Sequence, residues 1–413
     1  MTKASIISIG NEILNGQIAD TNAAYISRSL LSIGIAVVSS YTVGDDIDSI
    51  IKSMKSASKN AELVIATGGL GPTDDDLTRQ AFAKFLGTKL ELQNKLLEKI
   101  GNFFTRRKLQ MPQKCKIQAY IPAGAKAIVN NLGTAPGIMA EVEGKLFVAI
   151  PGVPSEMRQM FEESIIPELK KLTTEAEQAK TVIRKLRCFG TAESNIAELL
   201  GNLCQRGRNP QINCTVKDGI ITLHIIATAE DKNQAEQMAE KDEKLIRNIL
   251  GKLVYGTGEQ TLAEVVGEKL AEQKKTIAIA ESCTGGTLAK LLTDIPGSSG
   301  YFTYGWITYS NDAKITELGV PVELIQKQGA VSKEVAEAMA KGARKKAGTT
   351  YGVGITGIAG PTGGNKQKPV GLVYICIDSD MSCETKDFIF SHDRGFMRLQ
   401  AAQTALNMLR LQL

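Results

Sequence analysis

Thr276-Ile277-Ala278-Ile279-Ala280-Glu281-Ser282-Cys283-Thr284-Gly285-Gly286-Thr287-Leu288-Ala289-Lys290-Leu291-Leu292 is the run from which the rest of the chain can be read. The apolar start predicts a short buried strand, the Ser/Thr/Gly segment a tight turn, and Thr287 onward a helix. Strand, turn and helix in that order are the building unit of an α/β fold. A hydroxyl at such a turn sits beside the N–H groups of a helix start, which can hold an anion or a developing oxyanion. The same residues also read as a plain capped helix.

What could activate Ser282 is limited by composition. The chain has two histidines, His224 and His392. His224 lies in the strand-like run Ile221 to Ile226, and His392 in a loop from Ser391 to Gly395. So few imidazoles argue against a histidine-rich zinc site. A Ser-His-Asp triad could draw only on His392, so a lysine is the expected base for a nucleophilic Ser282.

The bulk numbers describe a globular chain. Its 413 residues suit two or three domains, and 43% hydrophobic with 23% charged residues is ordinary composition. A net charge of +5 with no basic block does not point to nucleic acid. Seven scattered cysteines without a C-x-x-C pair fit reduced thiols and a cytoplasmic location. Met1-Thr2-Lys3 runs straight into a strand pattern with no signal peptide, and no apolar run approaches the roughly 20 residues of a membrane span.

Strand and helix patterns alternate from Ala4 to Leu172, which predicts a mostly parallel sheet covered by helices. The expected strands are Ser5 to Ile9, Ile35 to Val43, Leu63 to Ala66 and Leu146 to Ile150; Asp20 caps a helix running to Ile33. Lys170 to Lys180 is polar and reads as a linker. Thr181 to Leu250 reads strand, helix, strand, strand, helix, with Lys217-Asp218-Gly219 as a hairpin turn. A third alternating segment follows Gly251 to Gly258 and ends in a long helix from Phe396. The predicted domains are 1–172, 180–250 and 257–413.

The first domain carries its own constellation. The Leu63 strand enters Thr67-Gly68-Gly69-Leu70-Gly71-Pro72-Thr73-Asp74-Asp75-Asp76, ahead of a helix from Leu77. Gly68, Gly69 and Gly71 let the backbone approach a phosphate, and Thr73 adds a hydroxyl. One or two aspartates at a helix start only complement the dipole. Three beside a phosphate-type loop suggest a divalent metal held by hard oxygens. Gly10-Asn11-Glu12, Asp20-Thr21-Asn22 and Pro151 to Met157 also follow strands, at the ends where open α/β sheets bind ligands. The loop Asn131 to Gly137 reads equally well as a turn or a wall of the site.

Gly10 to Leu14, Thr67 to Asp76 and Pro151 to Met157 resemble the N-terminal domain of the CinA (competence/damage-inducible) family, itself similar to molybdopterin-binding domains. The resemblance implies a metal-dependent ADP-ribose pyrophosphatase. It makes Asp75, Asp76 and Glu156 the metal or water-activating candidates, with a divalent ion, and K+ as an additional candidate, as cofactor. Leu70 and Pro72 inside the loop depart from the usual molybdopterin-binding pattern and disfavour that cofactor.

In the third domain Tyr301 to Tyr309 predicts a strand, and Ser310-Asn311-Asp312 caps a helix carrying Lys314. Tyr309 and Lys314 could share a pocket. Lys314 alone would read as an exposed helix lysine; as a base it needs a pKa lowered from about 10.4. A second strand, Tyr351 to Ile355, enters the Gly-rich run Thr356 to Gly364, a backbone-lined site with Thr356 and Gly357 at its mouth. Lys366 and Lys368 are either phosphate contacts or solvated loop lysines. Ala280 to Gly286, Tyr309 to Lys314 and Ile355 to Pro361 resemble the C-terminal CinA domain, whose standalone relatives are nicotinamide mononucleotide deamidases. This implies Ser282 as nucleophile, Tyr309, Lys314 and Thr356 as partners, Thr284, Gly285 and Gly286 as substrate contacts, and no cofactor. Cys283 is the rival nucleophile, but neighbours on a strand face opposite ways, so one of the pair reaches the pocket.

The middle segment resembles a KH module without its Gly-x-x-Gly clamp, so a spacer is expected rather than an RNA binder. The whole-chain resemblance implies a homodimer acting on nicotinamide mononucleotide and ADP-ribose. The alternative is a nucleotide- or DNA-binding accessory protein of competence or repair with one or both sites non-catalytic.

Overall fold

Ile6, Ile65, Val148 and Ile150 face one apolar core of the N-terminal region, while Ile7, Ile9, Val64, Ala66 and Phe147 face another. Alternate residues of each strand therefore feed opposite cores, as a sheet buried on both faces requires. The computed structural model describes residues 3–172, 180–391 and 393–413. It divides into a unit ending at Val182 and taking in Ala227–Gln237, and a unit of Ile183–Ile226 with Met238–Leu413.

The first sheet runs Ala36–Val43, Lys3–Ile9, Leu63–Thr67, Lys145–Ile150, Gly137–Val142, Lys126–Ile128. Its first four strands are parallel, and the last two attach antiparallel. The helix Thr21–Ser32 covers one face; Ile47–Ala57 and Thr78–Leu86 cover the other. The sequence reading placed no strand between Leu63–Ala66 and Leu146–Ile150, so this antiparallel edge is new. A Glu143-Gly144 turn, both residues left-handed, folds it onto Lys145–Ile150.

The middle of the chain has the expected strand-helix-strand-strand-helix order: Lys180–Cys188, Glu193–Leu200, Gln211–Lys217, Ile220–Ala229 and Lys232–Leu250. Asp218 and Gly219, at φ 53° and 75°, make the predicted hairpin. His224 is a strand residue whose ring nitrogen meets the Thr215 hydroxyl at 3.0 Å. The following sheet runs Phe302–Ile307, Ile277–Glu281, Tyr351–Gly357, Leu372–Asp378, Cys383–Ile389. Three strands are parallel and the last two antiparallel. The helix Lys333–Ala347 packs onto Tyr351–Gly357 at backbone distance: a Cβ on Gly352 or Gly354 would stand 2.2 Å from the carbonyls of Ala340 or Ala336. The helix Arg394–Arg410 buries Met397, Ala401, Ala405 and Leu409 in the main core of this sheet.

Of the expected linker, the helix Ile166–Leu172 takes the first residues; 173–179 lie outside the described residues, as does His392. No helix among the described residues is long and apolar enough to cross a membrane.

Candidate functional site

The strand Ile277–Glu281 delivers Ser282 to a turn that two glycines make possible, Gly285 at φ 57° and Gly286 at φ 94°. Ser282 is anchored by its own N–H, which donates to the Ile355 carbonyl of the neighbouring strand (3.0 Å). Across the turn, Ser310 accepts from the Ala313 N–H and starts the helix Asn311–Leu318. That start turns Lys314 inward. Its Nζ lies 3.0 Å from Ser282 Oγ and donates to the Thr308 carbonyl (2.8 Å). Lys314 is 1% exposed, and burial pushes its pKa below the ordinary 10.5. The exposed-lysine reading is therefore overturned. Ser282 and Lys314 form a buried hydroxyl–amine pair.

Cys283 points the other way, into the core, at 4% exposure. Burial pushes its thiol up to about 12. Its burial in the core makes it a packing residue.

The helix start is not open, contrary to the first expectation. Glu281, 1% exposed, accepts from the N–H groups of Gly286 (3.0 Å), Leu288 (3.1 Å) and Ala289 (2.8 Å). A carboxylate built into the strand end thus occupies the place an anion would take. Gly285 N–H closes the turn onto the Ser282 carbonyl (3.1 Å). The backbone N–H groups of Cys283 and Thr284 are turned toward the Cys283 sulfur, where they hold back the rise of its pKa. Thr284 and Thr308 have buried hydroxyls with no partner among the described residues.

Tyr309 is exposed, and its hydroxyl accepts from Arg394 (2.7 Å). Arg394 also donates to the Gly360 carbonyl (2.9 Å). One turn along the same helix, Arg398 donates to the carbonyls of Thr284 (2.8 Å) and Gly285 (3.2 Å). Both arginines escaped the sequence reading, as did Glu281. The available signal was their four-residue spacing at a helix start, which puts them on one face. Thr356 is brought beside the pair by its strand, but its hydroxyl donates to the Ala330 carbonyl (2.7 Å). Gly357 is pressed against the Leu372 carbonyl. Lys368 is neither solvated nor free: Nζ donates to the Gln328 and Val331 carbonyls, both at 2.6 Å. Lys366 is exposed.

The first unit holds a separate cavity of about 450 Å³ at the carboxyl ends of Lys3–Ile9, Leu63–Thr67 and Lys145–Ile150. Gly68 and Gly69, at φ 112° and 64°, lead the loop along one wall; a Cβ on Gly68 would strike the Ile9 carbonyl. Six carboxylates line the cavity, Glu12, Asp20, Asp45, Asp75, Asp76 and Glu156, and no lysine or arginine does among the described residues. Asp76 serves the loop: it accepts from the N–H groups of Gly71 (2.7 Å) and Thr73 (2.8 Å) and from the Thr73 hydroxyl. Behind it the buried Arg79 donates to the Leu70 and Gly71 carbonyls, and burial lowers its pKa to about 10. Glu156 accepts from Asn130 (2.6 Å). Asp75 is exposed, and the Thr73 hydroxyl holds its pKa low. Asp45 is pushed up by burial first and then by repulsion from Glu12, Asp75 and Asp76. No three of these groups converge on one point to hold a metal ion among the described residues. The donor chemistry nonetheless fits a hard divalent cation, whose charge would relieve the repulsion at Asp45.

A three-part α/β chain with a buried Ser–Lys pair in its last domain and an acidic, glycine-walled cavity in its first is what the geometry defines. Residues 5–171 match the probable molybdopterin binding domain model, 183–256 the damage-inducible protein CinA KH domain, and 259–413 the CinA C-terminal domain. A CinA-like protein of Kosmotoga olearia is 44% identical over 99% of this chain and 98% of its own. A competence-damage inducible protein of Caldicellulosiruptor saccharolyticus is 42% identical over 98% of both. A crystal structure of CinA from Thermoplasma acidophilum is 37% identical and covers 40% of this chain and 97% of its own, at a TM-score of 0.38. The chain belongs to the CinA family.

Proposed function

We propose that the C-terminal domain is an amidohydrolase that converts nicotinamide mononucleotide to nicotinic acid mononucleotide and ammonia. The observation that carries this reading is the 3.0 Å approach of the buried Lys314 Nζ to Ser282 Oγ. A neutral Lys314 takes the Ser282 proton as Oγ attacks the carboxamide carbon. An oxyanion formed at this turn would draw on its backbone N–H groups. Lys314 returns the proton to the departing ammonia, and water then cleaves the acyl-serine. Arg394 and Arg398, beside Tyr309 and the nucleophile turn, suit the substrate phosphate. Incubation of nicotinamide mononucleotide with wild-type and Ser282→Ala protein, followed by chromatography with mass detection, tests it. Conversion by wild type alone is expected; conversion by neither protein favours a binding role in competence or repair.

A second reading concerns the first unit: hydrolysis of ADP-ribose to AMP and ribose 5-phosphate. Its support is the glycine-walled cavity with six carboxylates. A bound divalent cation would neutralise pyrophosphate charge and lower the pKa of water. Asp75, Asp45 and Glu12 would hold it, with Asp45 also accepting from the Asn11 N–H (3.0 Å); Asp76 is committed to three hydrogen bonds within the loop. Release of AMP from ADP-ribose, lost in EDTA, is the expected outcome. The family resemblance also implies a cytoplasmic homodimer, which sedimentation of the purified protein checks.

A further inference from the structure

Beside the acidic cavity lies a cleft of opposite charge. The helix Asn94–Arg106 and the loop 129–136 enclose about 750 Å³. Lys95, Lys99, Phe103 and Arg106 recur at i, i+4, i+8 and i+11, which places them on one helix face. With Arg107, four cations line the cleft against the single carboxylate of Glu98. None of the four forms an ion pair among the described residues. A basic helix face alone is ordinarily just solvated. Here the opposite wall makes it a container: Asn131 fixes Lys99 from across the cleft (3.2 Å). The Arg107 guanidinium lies 3.6 Å over the half-buried Phe103 ring, so a flat cationic–aromatic surface faces the same space. Thr134 lines both cavities, and Asn130, in the wall of the cleft, bonds Glu156 of the acidic one.

We propose that this cleft is a nucleoside phosphate site, in which the lysines and Arg106 meet the phosphate and the base stacks on the flat surface that Arg107 and Phe103 make together. It deepens the ADP-ribose reading and rests on it. The adenosine phosphate end of the substrate occupies the basic cleft, and the scissile pyrophosphate and its cation lie toward the acidic cavity.

The probe is AMP, titrated calorimetrically into the full-length protein in EDTA. Wild type binds with an affinity that falls as salt rises. Lys95→Glu combined with Lys99→Glu weakens AMP about tenfold or more, the scale of losing charged hydrogen bonds. Phe103→Leu weakens AMP more than ribose 5-phosphate, which has no base to stack. AMP affinity unchanged in the double variant, or abolished instead by Arg394→Ala in the other domain, overturns the site. ADP-ribose turnover in the same proteins separates the two ideas. Wild-type hydrolysis with KM unmoved by the double variant overturns the cleft and keeps the pyrophosphatase. AMP binding that the double variant weakens, in a protein that leaves ADP-ribose intact, does the reverse.

Discussion

Around Ser282 the polar side chains are taken out of water; around Asp75 they are left in it. Lys314 reaches the serine from a pocket of carbonyl oxygens, and dryness alone lowers its pKa. Asp75 stands exposed, in a cavity whose carboxylates repel one another. A proton relay needs one group with a shifted pKa at one distance, and burial supplies both. A site for a hydrated ion and a polyanion needs many weakly committed oxygens and room for water. The first is rigid by packing, the second by its loop, where Asp76 and Arg79 hold the backbone from either side.

That contrast is most exposed at the serine. Ser282→Ala should lower amide hydrolysis about 10⁴-fold or more, with ADP-ribose cleavage within a factor of about two. Loss of both activities in an intact protein would show that the two sites are one system.

Lys314→Met should cost about 10³-fold in deamidation. The pH profile is the sharper readout. Only neutral Lys314 can accept the proton, and burial lowers its pKa, so kcat/KM rises with pH and levels off before the 10.5 of an ordinary lysine. A limb centred at or above 10.5 would mean that Lys314 is not the base.

At the other site, Asp76→Ala removes three hydrogen bonds from the glycine loop. Pyrophosphate cleavage should fall about 10- to 100-fold, the kinetic equivalent of a lost charge-assisted bond or two. Deamidation, assayed in parallel, should not change. Glu281→Gln has the smallest expected effect. The amide keeps one acceptor for three N–H groups, so the C-terminal domain should lose about 1–2 kcal/mol of stability, visible as a lower Tm with Ser282 still reactive.

Much of this was legible beforehand, and unevenly so. The hairpin at Asp218-Gly219 and the cap at Ser310 follow from local chemistry, and both stand where the spacing put them. Ser282 and Lys314 were visible as residue types, but burial of Lys314 was not, because it depends on Ser282, 32 residues away at the end of the neighbouring strand. Glu281 was unreadable for a subtler reason. A carboxylate at a strand end looks like solvent-facing polarity, and only the turn's path bends the helix N–H groups back onto it. Arg394 and Arg398 were hidden by distance in sequence. The charge contrast between the acidic cavity and its basic neighbour is likewise tertiary, since no block of the sequence is strongly basic.

The bonds from Arg398 to the carbonyls of Thr284 and Gly285 span 114 and 113 residues. During synthesis, the Ser282 turn emerges long before the helix that ties it down. The serine, the lysine and the strands between them can assemble while the chain is still being made. The turn's carbonyls stay unclaimed until residue 398 leaves the ribosome, so an interrupted chain would carry Ser282 without its finished setting.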